Sequence, residues 1–152
     1  MSTFLASPPR IKQKGSTCWA AAAASWSQVT SGVTSWTAAD LLEAGKDHKV
    51  VSSKGALKGE DGIEWLKKTL SMKHQRNEYM AMPEEMEPRL DNHGHVLYLY
   101  RYKGWKTSVH AVVVWGVDDD YICFMDPQVG QWTFPDWNLF EFSWELCLFK
   151  AY

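Results

Sequence analysis

The sequence predicts an α+β fold, in which a central helix near the N-terminus packs on an antiparallel sheet from the C-terminal part of the chain. Three observations lead to this reading. Helix signals come first along the chain and strand signals follow, the segregation that separates α+β from alternating α/β architectures. One early segment carries five consecutive alanines, Ala20–Ala24, which combine high helix propensity with side chains small enough for close backbone approach. From Val96 onward the apolar period changes from helical to alternating.

Taken in order, Pro8 and Pro9 make the opening residues an extended lead-in. Ser16 and Thr17 then precede Cys18, Trp19 and the alanine run through Trp26, the strongest helix signal in the chain. Thr37, followed three residues later by Asp40, predicts a short second helix over Leu41, Leu42 and Ala44 that stops at Gly45. Asp61 is expected to cap a third, with Ile63, Leu66 and Leu70 at helical spacing and Lys67, Lys68 and Lys73 outside or near its end. Pro83 opens a fourth helix over Glu84–Leu90, acidic in its first turn.

Val96–Tyr102 alternates, with Tyr98, Tyr100 and Tyr102 on one face and Leu97, Leu99 and Arg101 on the other, and is read as a strand. Two further apolar runs, Val109–Val117 and Tyr121–Met125, are joined through Asp118-Asp119-Asp120 and predict a hairpin. After an irregular aromatic stretch from Gln131 to Phe142, Trp144–Phe149 supplies a last strand. Apart from the alanine run the chain has no repeat, linker or low-complexity segment, so residues 1–152 are expected to form one domain.

Composition narrows the function classes. Hydrophobic residues make up 45% and charged residues 22%, the balance of a folded soluble chain. With 16 Lys and Arg against 18 Asp and Glu, the formal charge of −2 provides no field for nucleic acid or anionic lipid, and neither is expected as a partner. The three cysteines, Cys18, Cys123 and Cys147, are too few for a stapled scaffold, and their odd number leaves at least one thiol free. The opening residues lack a charged segment followed by a long apolar one, and no run reaches ~18 apolar residues. A cytoplasmic product without a Sec signal is expected, exported if at all by a specialised machine.

The chemistry centres on Cys18. A cysteine nucleophile acts as its thiolate, and a helix N-terminus favours negative charge there. The same amides can hold a developing oxyanion, so the backbone N–H of Cys18 and the side chain of Gln13 are the expected donors. Cys123 and Cys147 sit inside apolar alternation and are read as buried small hydrophobes. Of the five histidines, His48, His74, His93 and His95 lie in polar stretches that suggest solvated surface, whereas His110 opens a strand otherwise made of Val, Ala and Trp. A hairpin centred on Asp119 pairs residues whose numbers sum to about 238, which sets Asp126 opposite Val112 and diagonal to His110 on the same face. Asp126 is therefore expected to orient and charge-stabilise the His110 imidazole.

Three segments carry a resemblance: Gln13-Lys14-Gly15-Ser16-Thr17-Cys18-Trp19-Ala20, the His110-to-Gly116 strand, and Asp126-Pro127. In that order they resemble the bacterial papain-fold cysteine peptidases, in particular staphopain and AvrRpt2-like effectors and, more distantly, bacteriocin-processing peptidases. The resemblance runs from about Gln13 to Pro127 and implies a papain-like fold. It implies that Cys18 is the nucleophile, His110 the base, Asp126 the residue orienting it and Gln13 the oxyanion-hole glutamine, with no cofactor. The chain departs from the Cys-Gly-Ser-Cys-Trp box of lysosomal and plant papains, and its small size shortens the walls that define substrate subsites.

The implied activity is an endopeptidase acting on a protein or peptide through a thioester, as a secreted or injected effector toxin countered by an immunity protein over the Cys18 cleft. A glutamine deamidase, a transglutaminase or a peptidoglycan amidase would use the same residues, and a silent binding module would leave Cys18 unreactive. His93-Gly94-His95 lacks a second pair at ligand spacing and is read as a solvated turn, with no metal site. Most of the nine tryptophans, including Trp105 and Trp115 flanking the histidine, are read as core and cleft wall. The tyrosine stripe, with Arg101, Lys103 and Lys106 nearby, is read as a sheet face and not as a nucleic-acid platform.

Overall fold

The computed structural model describes residues 2–75, 83–102, 109–137 and 142–151. Among these residues four helices, α1 (Cys18–Val29), α2 (Ala38–Asp47), α3 (Gly59–Leu70) and α4 (Pro83–His93), accompany a seven-stranded sheet. The strands are β1 (Ser2–Phe4), β2 (Met72–Gln75), β3 (Val96–Tyr102), β4 (His110–Asp118), β5 (Ile122–Asp126), β6 (Gln131–Thr133) and β7 (Phe142–Lys150). They run in the order β2-β7-β3-β4-β5-β6, with every pairing antiparallel, and β1 pairs with β4. Because β5 takes the other edge of Gly116 and Val117, β1 extends the edge of β4 along which β3 ends. The fold is α+β, as the segregation of helix and strand signals predicts.

Helix α1 is the hub. Every residue from Trp19 to Ser27 is buried, so this helix is apolar all round rather than amphipathic, and the alanines let it lie close against the sheet. It packs with α2 and α3 on the face that carries Leu97, Leu99, Ala111, Val113, Met125, Leu146 and Leu148. The opposite face carries Tyr98, Tyr100, Val112, Val114, Phe124 and Phe149 beneath Met86 and Leu90 of α4. The alternation of β3 is thus buried on both sides, with the tyrosines beneath a helix rather than open to a ligand.

Several boundaries differ from expectation for identifiable reasons. Helix α2 has Thr37 as its N-cap, its hydroxyl accepting from the Asp40 N–H at 3.1 Å, but the helix runs through Gly45 to Asp47. Gly45 is there to admit neighbours, since a Cβ at that position would lie 2.6 Å from Val51 and 3.3 Å from Trp19. Helix α3 starts at Gly59 with Lys58 at the N-cap, so Asp61 sits in the first turn instead of capping it, and Lys73 belongs to β2. Helix α4 extends to His93.

Strands β1, β2 and β6 are too short for a periodic signal and exist through pairing with longer neighbours. The hairpin takes the expected register at its open end, Val113 opposite Met125 and Val114 opposite Phe124. A bulge at Trp115 then shifts the pairing by one, so Gly116 faces Cys123 and Val117 faces Ile122. Its consequence is visible in the core: Val117 joins Val112 and Val114 on the α4 face despite its odd number.

Candidate active site

The first residue of α1 and the first residue of β4 meet at one end of the sheet. Cys18 opens the helix, partly buried, with its thiol donating to the Val109 carbonyl at 3.8 Å. The preceding turn leaves the helix start open. Thr17 occupies the N-cap but makes no cap bond; its hydroxyl donates back to the Lys14 carbonyl at 2.7 Å and accepts from the Lys14 N–H at 3.1 Å. The Thr17 carbonyl serves Ala20 and Ala21, and the backbone N–H of Cys18 has no acceptor among the described residues. Unpaired amides at a helix start favour an anion in front of them.

His110 is 9% exposed and donates through Nε2 to Asp126 Oδ1 at 2.6 Å. With Nε2 taken by Asp126, Nδ1 is the ring nitrogen left for Cys18, whose sulfur lies 3.8 Å from the carbonyl of the neighbouring Val109. Burial by itself pulls the imidazole pKa down. The hydrogen bonds and negative charge contributed by Asp126 and Cys18 outweigh it and raise the pKa to about 9. At neutral pH the ring is therefore an imidazolium. Tyr100, directly opposite in β3, sets its ring edge-on to the imidazole, 5.6 Å between centroids.

Asp126 is held by the turn that it starts. Its Oδ1 also accepts from the Gln128 N–H at 3.0 Å, and its carbonyl accepts from the Gly130 N–H at 2.8 Å. An Asp-Pro-x-x-Gly segment is a turn signal legible in sequence, and it identifies the second anchor of this carboxylate. The same turn holds the lead-in, since the Gln13 N–H donates to the Pro127 carbonyl at 2.8 Å. Gln13 itself differs from a free oxyanion donor: its Nε2 donates to the Gly15 carbonyl at 2.7 Å, and its Oε1 is buried without a partner. One amide hydrogen of Gln13 has no acceptor among the described residues.

Gly130 makes this arrangement possible. Its φ is +65°, and a Cβ there would lie 2.8 Å from Lys12 Cβ and 3.2 Å from Lys12 Cα. Gly130→Ala is expected to destabilise the protein by ~1–3 kcal/mol and to lower kcat more than it changes KM, because it pushes on the backbone next to Gln13. Thermal melts and peptidase kinetics check this together.

The remaining histidines and cysteines stand apart. His48 is exposed and bonds the Ala44 carbonyl, while the His74 side chain lies outside the described residues. His93 and His95 do not form a solvated turn: His93 stacks on Phe149 at 4.2 Å, and His95 is buried with Nε2 bonded to the Ala6 carbonyl, burial holding its pKa below the usual value. The lead-in that covers His95 is remote in sequence, so polarity of the local stretch gave the wrong sign. No group of three or more metal-ligating side chains is present among the described residues. Cys123 and Cys147 are buried, and burial pushes their thiols up to about 11 and about 12. Trp105, with residues 103–108, lies outside the described residues; Trp115 packs edge-on against Trp132 and Phe134.

Residues 5–140 match the family described as papain-like cysteine protease AvrRpt2, most of the chain including Gln13, Cys18, His110 and Asp126. The chain belongs to this family. It is accordingly a papain-like cysteine protease, a hydrolase, and a silent binding module is set aside. The fold agrees with that of the peptidase domain of Streptococcus ComA, a bi-functional ABC transporter involved in a quorum sensing pathway. The two superpose with a TM-score of 0.65 at 18% identity, over 93% of this chain and 97% of that one. No curated protein matches the sequence significantly.

Proposed function

We propose that this papain-like protease is an endopeptidase whose catalytic triad is Cys18, His110 and Asp126. The observation that carries the reading is the imidazole of His110, bonded through Nε2 to Asp126 at the end of the sheet where Cys18 opens α1 with its sulfur on the neighbouring Val109 carbonyl. In this scheme the Cys18 sulfur, its proton held by His110, attacks the scissile carbonyl carbon. The oxyanion that forms is taken by the backbone N–H of Cys18 and the uncommitted amide hydrogen of Gln13. His110 protonates the leaving amine, giving a thioester, then removes a proton from the water that hydrolyses it. No step requires a metal or a cofactor. Gln13→Ala is expected to lower kcat by ~10²-fold with a small change in KM, as removal of one oxyanion donor does.

The substrate class of the family is protein, and we read the biological role as that of an effector toxin exported or injected by a specialised secretion system. The support is the resemblance to AvrRpt2-like effectors. A producing cell would then need an immunity protein over the Cys18 cleft. The residues 1–152 are taken as one catalytic unit, since the triad draws on α1, β4 and β5 and the lead-in is tied to the Asp126 turn.

The deciding experiment is labelling with a cysteine-directed epoxide followed by peptide mapping, on wild type and His110→Ala. Selective, His110-dependent modification of Cys18 supports the triad. Equal labelling of Cys18, Cys123 and Cys147 would sink it. Cleavage of a protein substrate with new N-termini separates the endopeptidase from a deamidase or transglutaminase, which release ammonia without chain scission, and from a peptidoglycan amidase, which releases muropeptides.

A further inference from the structure

Among the described residues the exposed large hydrophobics are Phe4, Val129, Trp132 and Phe134, between 38% and 55% exposed, and they are not scattered. Trp132 and Phe134 both pack edge-on against Trp115, with centroids 6.3 and 5.9 Å apart, and Tyr121 links Phe134 to Phe4 at 6.3 and 6.5 Å. Single exposed apolar side chains are ordinary on a protein surface; a contiguous aromatic strip marks an interaction site. The strip is also incompletely satisfied, because the Trp115 indole N–H is buried with no acceptor among the described residues.

Its position points to the occupant. Val129 lies in the turn that Asp126 starts, and Trp132 lies one residue beyond Gln131, which pairs with Asp126. The strip therefore starts at β6 near the turn that holds Asp126, reaches Phe134 three residues after Gln131, about 10 Å at strand rise, and from there crosses by way of Trp115 of β4 and Tyr121 to Phe4 of β1. β6 is the last strand of the sheet, with β5 as its sole strand neighbour among the described residues, so its outer edge suits an extended chain. At the Trp132 end the flank is cationic, with the guanidinium of Arg10 4.9 Å over the Trp132 ring and exposed Lys12 against Gly130, whereas exposed Asp119, Asp120 and Asp136 lie at the Tyr121–Phe134 end. In a chain of net charge −2, this local basic edge complements acid.

We infer that the β6 edge and its aromatic strip form a substrate-docking surface, which takes an extended segment of the protein substrate carrying apolar or aromatic residues next to Asp or Glu. This segment lies outside the scissile bond, which sits at Cys18; the inference rests on the endopeptidase reading above. Docking there supplies affinity that the short subsite walls of a small protease do not.

The test is cleavage profiling with a proteome-derived peptide library on wild type, Phe134→Ser/Lys12→Glu and Phe134→Leu, with epoxide labelling of Cys18 read in parallel on each. Wild type is expected to select an apolar or aromatic residue beside Asp or Glu at a fixed distance from the cut. The double variant is expected to lose that selection, with kcat/KM roughly tenfold lower on peptides that carry it, and Phe134→Leu to keep it. Cuts indifferent to remote residues, or one profile shared by wild type and the double variant, overturn the docking surface. Labelling without any peptide cleavage overturns it as well. Failure of wild-type Cys18 to label instead identifies the triad as the part that is wrong.

Discussion

Replacing Cys18 by alanine is expected to abolish peptidase turnover, by roughly 10⁴-fold or more, while leaving the fold intact. The residue is partly exposed at the start of α1 and contributes one sulfur to the edge of the core, so its removal costs little packing. His110→Ala is expected to lower activity to a similar extent, and the double variant to be no worse than either, because groups that act as one unit are not additive. Assay of a fluorogenic peptide by the three variants, with circular dichroism melts as the folding control, checks this. Additive losses would mean that Cys18 and His110 do not share a step. Cys123 and Cys147 provide the internal control, since buried thiols pushed up to about 11 and about 12 stay protonated and unreactive at neutral pH.

Removing the carboxylate of Asp126 is expected to move the pH profile. The His110 pKa lies at about 9 because Asp126 and Cys18 overcome the lowering due to burial, so the alkaline limb of kcat/KM should fall near pH 9 in wild type. In Asp126→Ala the contribution of that carboxylate is gone while burial and Cys18 remain, so the limb moves to lower pH and kcat/KM at neutral pH drops by ~10²-fold. Asp126→Asn keeps an acceptor oxygen without the charge and should fall between. Stability follows the same sign. A histidine whose folded pKa is raised stabilises the protein fully below its unfolded value near 6.5 and loses that contribution as pH rises through about 9. The melting deficit of Asp126→Ala should therefore be largest in mildly acidic solution, on the order of 2–3 kcal/mol, and shrink above pH 9. A deficit independent of pH would assign Asp126 a purely structural role in its turn.

Much of this site was legible before any coordinates. Cys18 follows a loop and opens an alanine-rich helix, and a helix start is a local property that spacing and propensity disclose. His110 was conspicuous because an apolar strand rarely begins with an imidazole. Its contact with Asp126 followed from hairpin parity, which holds at the open end where Val113 faces Met125. Parity fails past Trp115, where the bulge moves Val117 to the face of Val112, and no local residue type announces such an insertion. His95 shows the same limit: a polar neighbourhood suggested solvent, yet the lead-in covers the ring and Ala6 accepts its hydrogen bond.

By itself the sequence determined the helix that presents Cys18, the period of β3, the pairing of β4 with β5 near the site, and the class of chemistry, because each depends on residues close together or on a single turn. Tertiary structure alone decided which amide hydrogen of Gln13 is left after Gly15 takes the other, and that the Asp126 turn anchors the lead-in through Pro127. It also decided that α4 buries the tyrosine face and that β1 and β6 pair at all. The Gln13–Pro127 bond and the β1–β4 pairing join segments more than a hundred residues apart, and β6 is too short for a pattern. The energy that holds them comes from the partner strand or helix, not from the local residues.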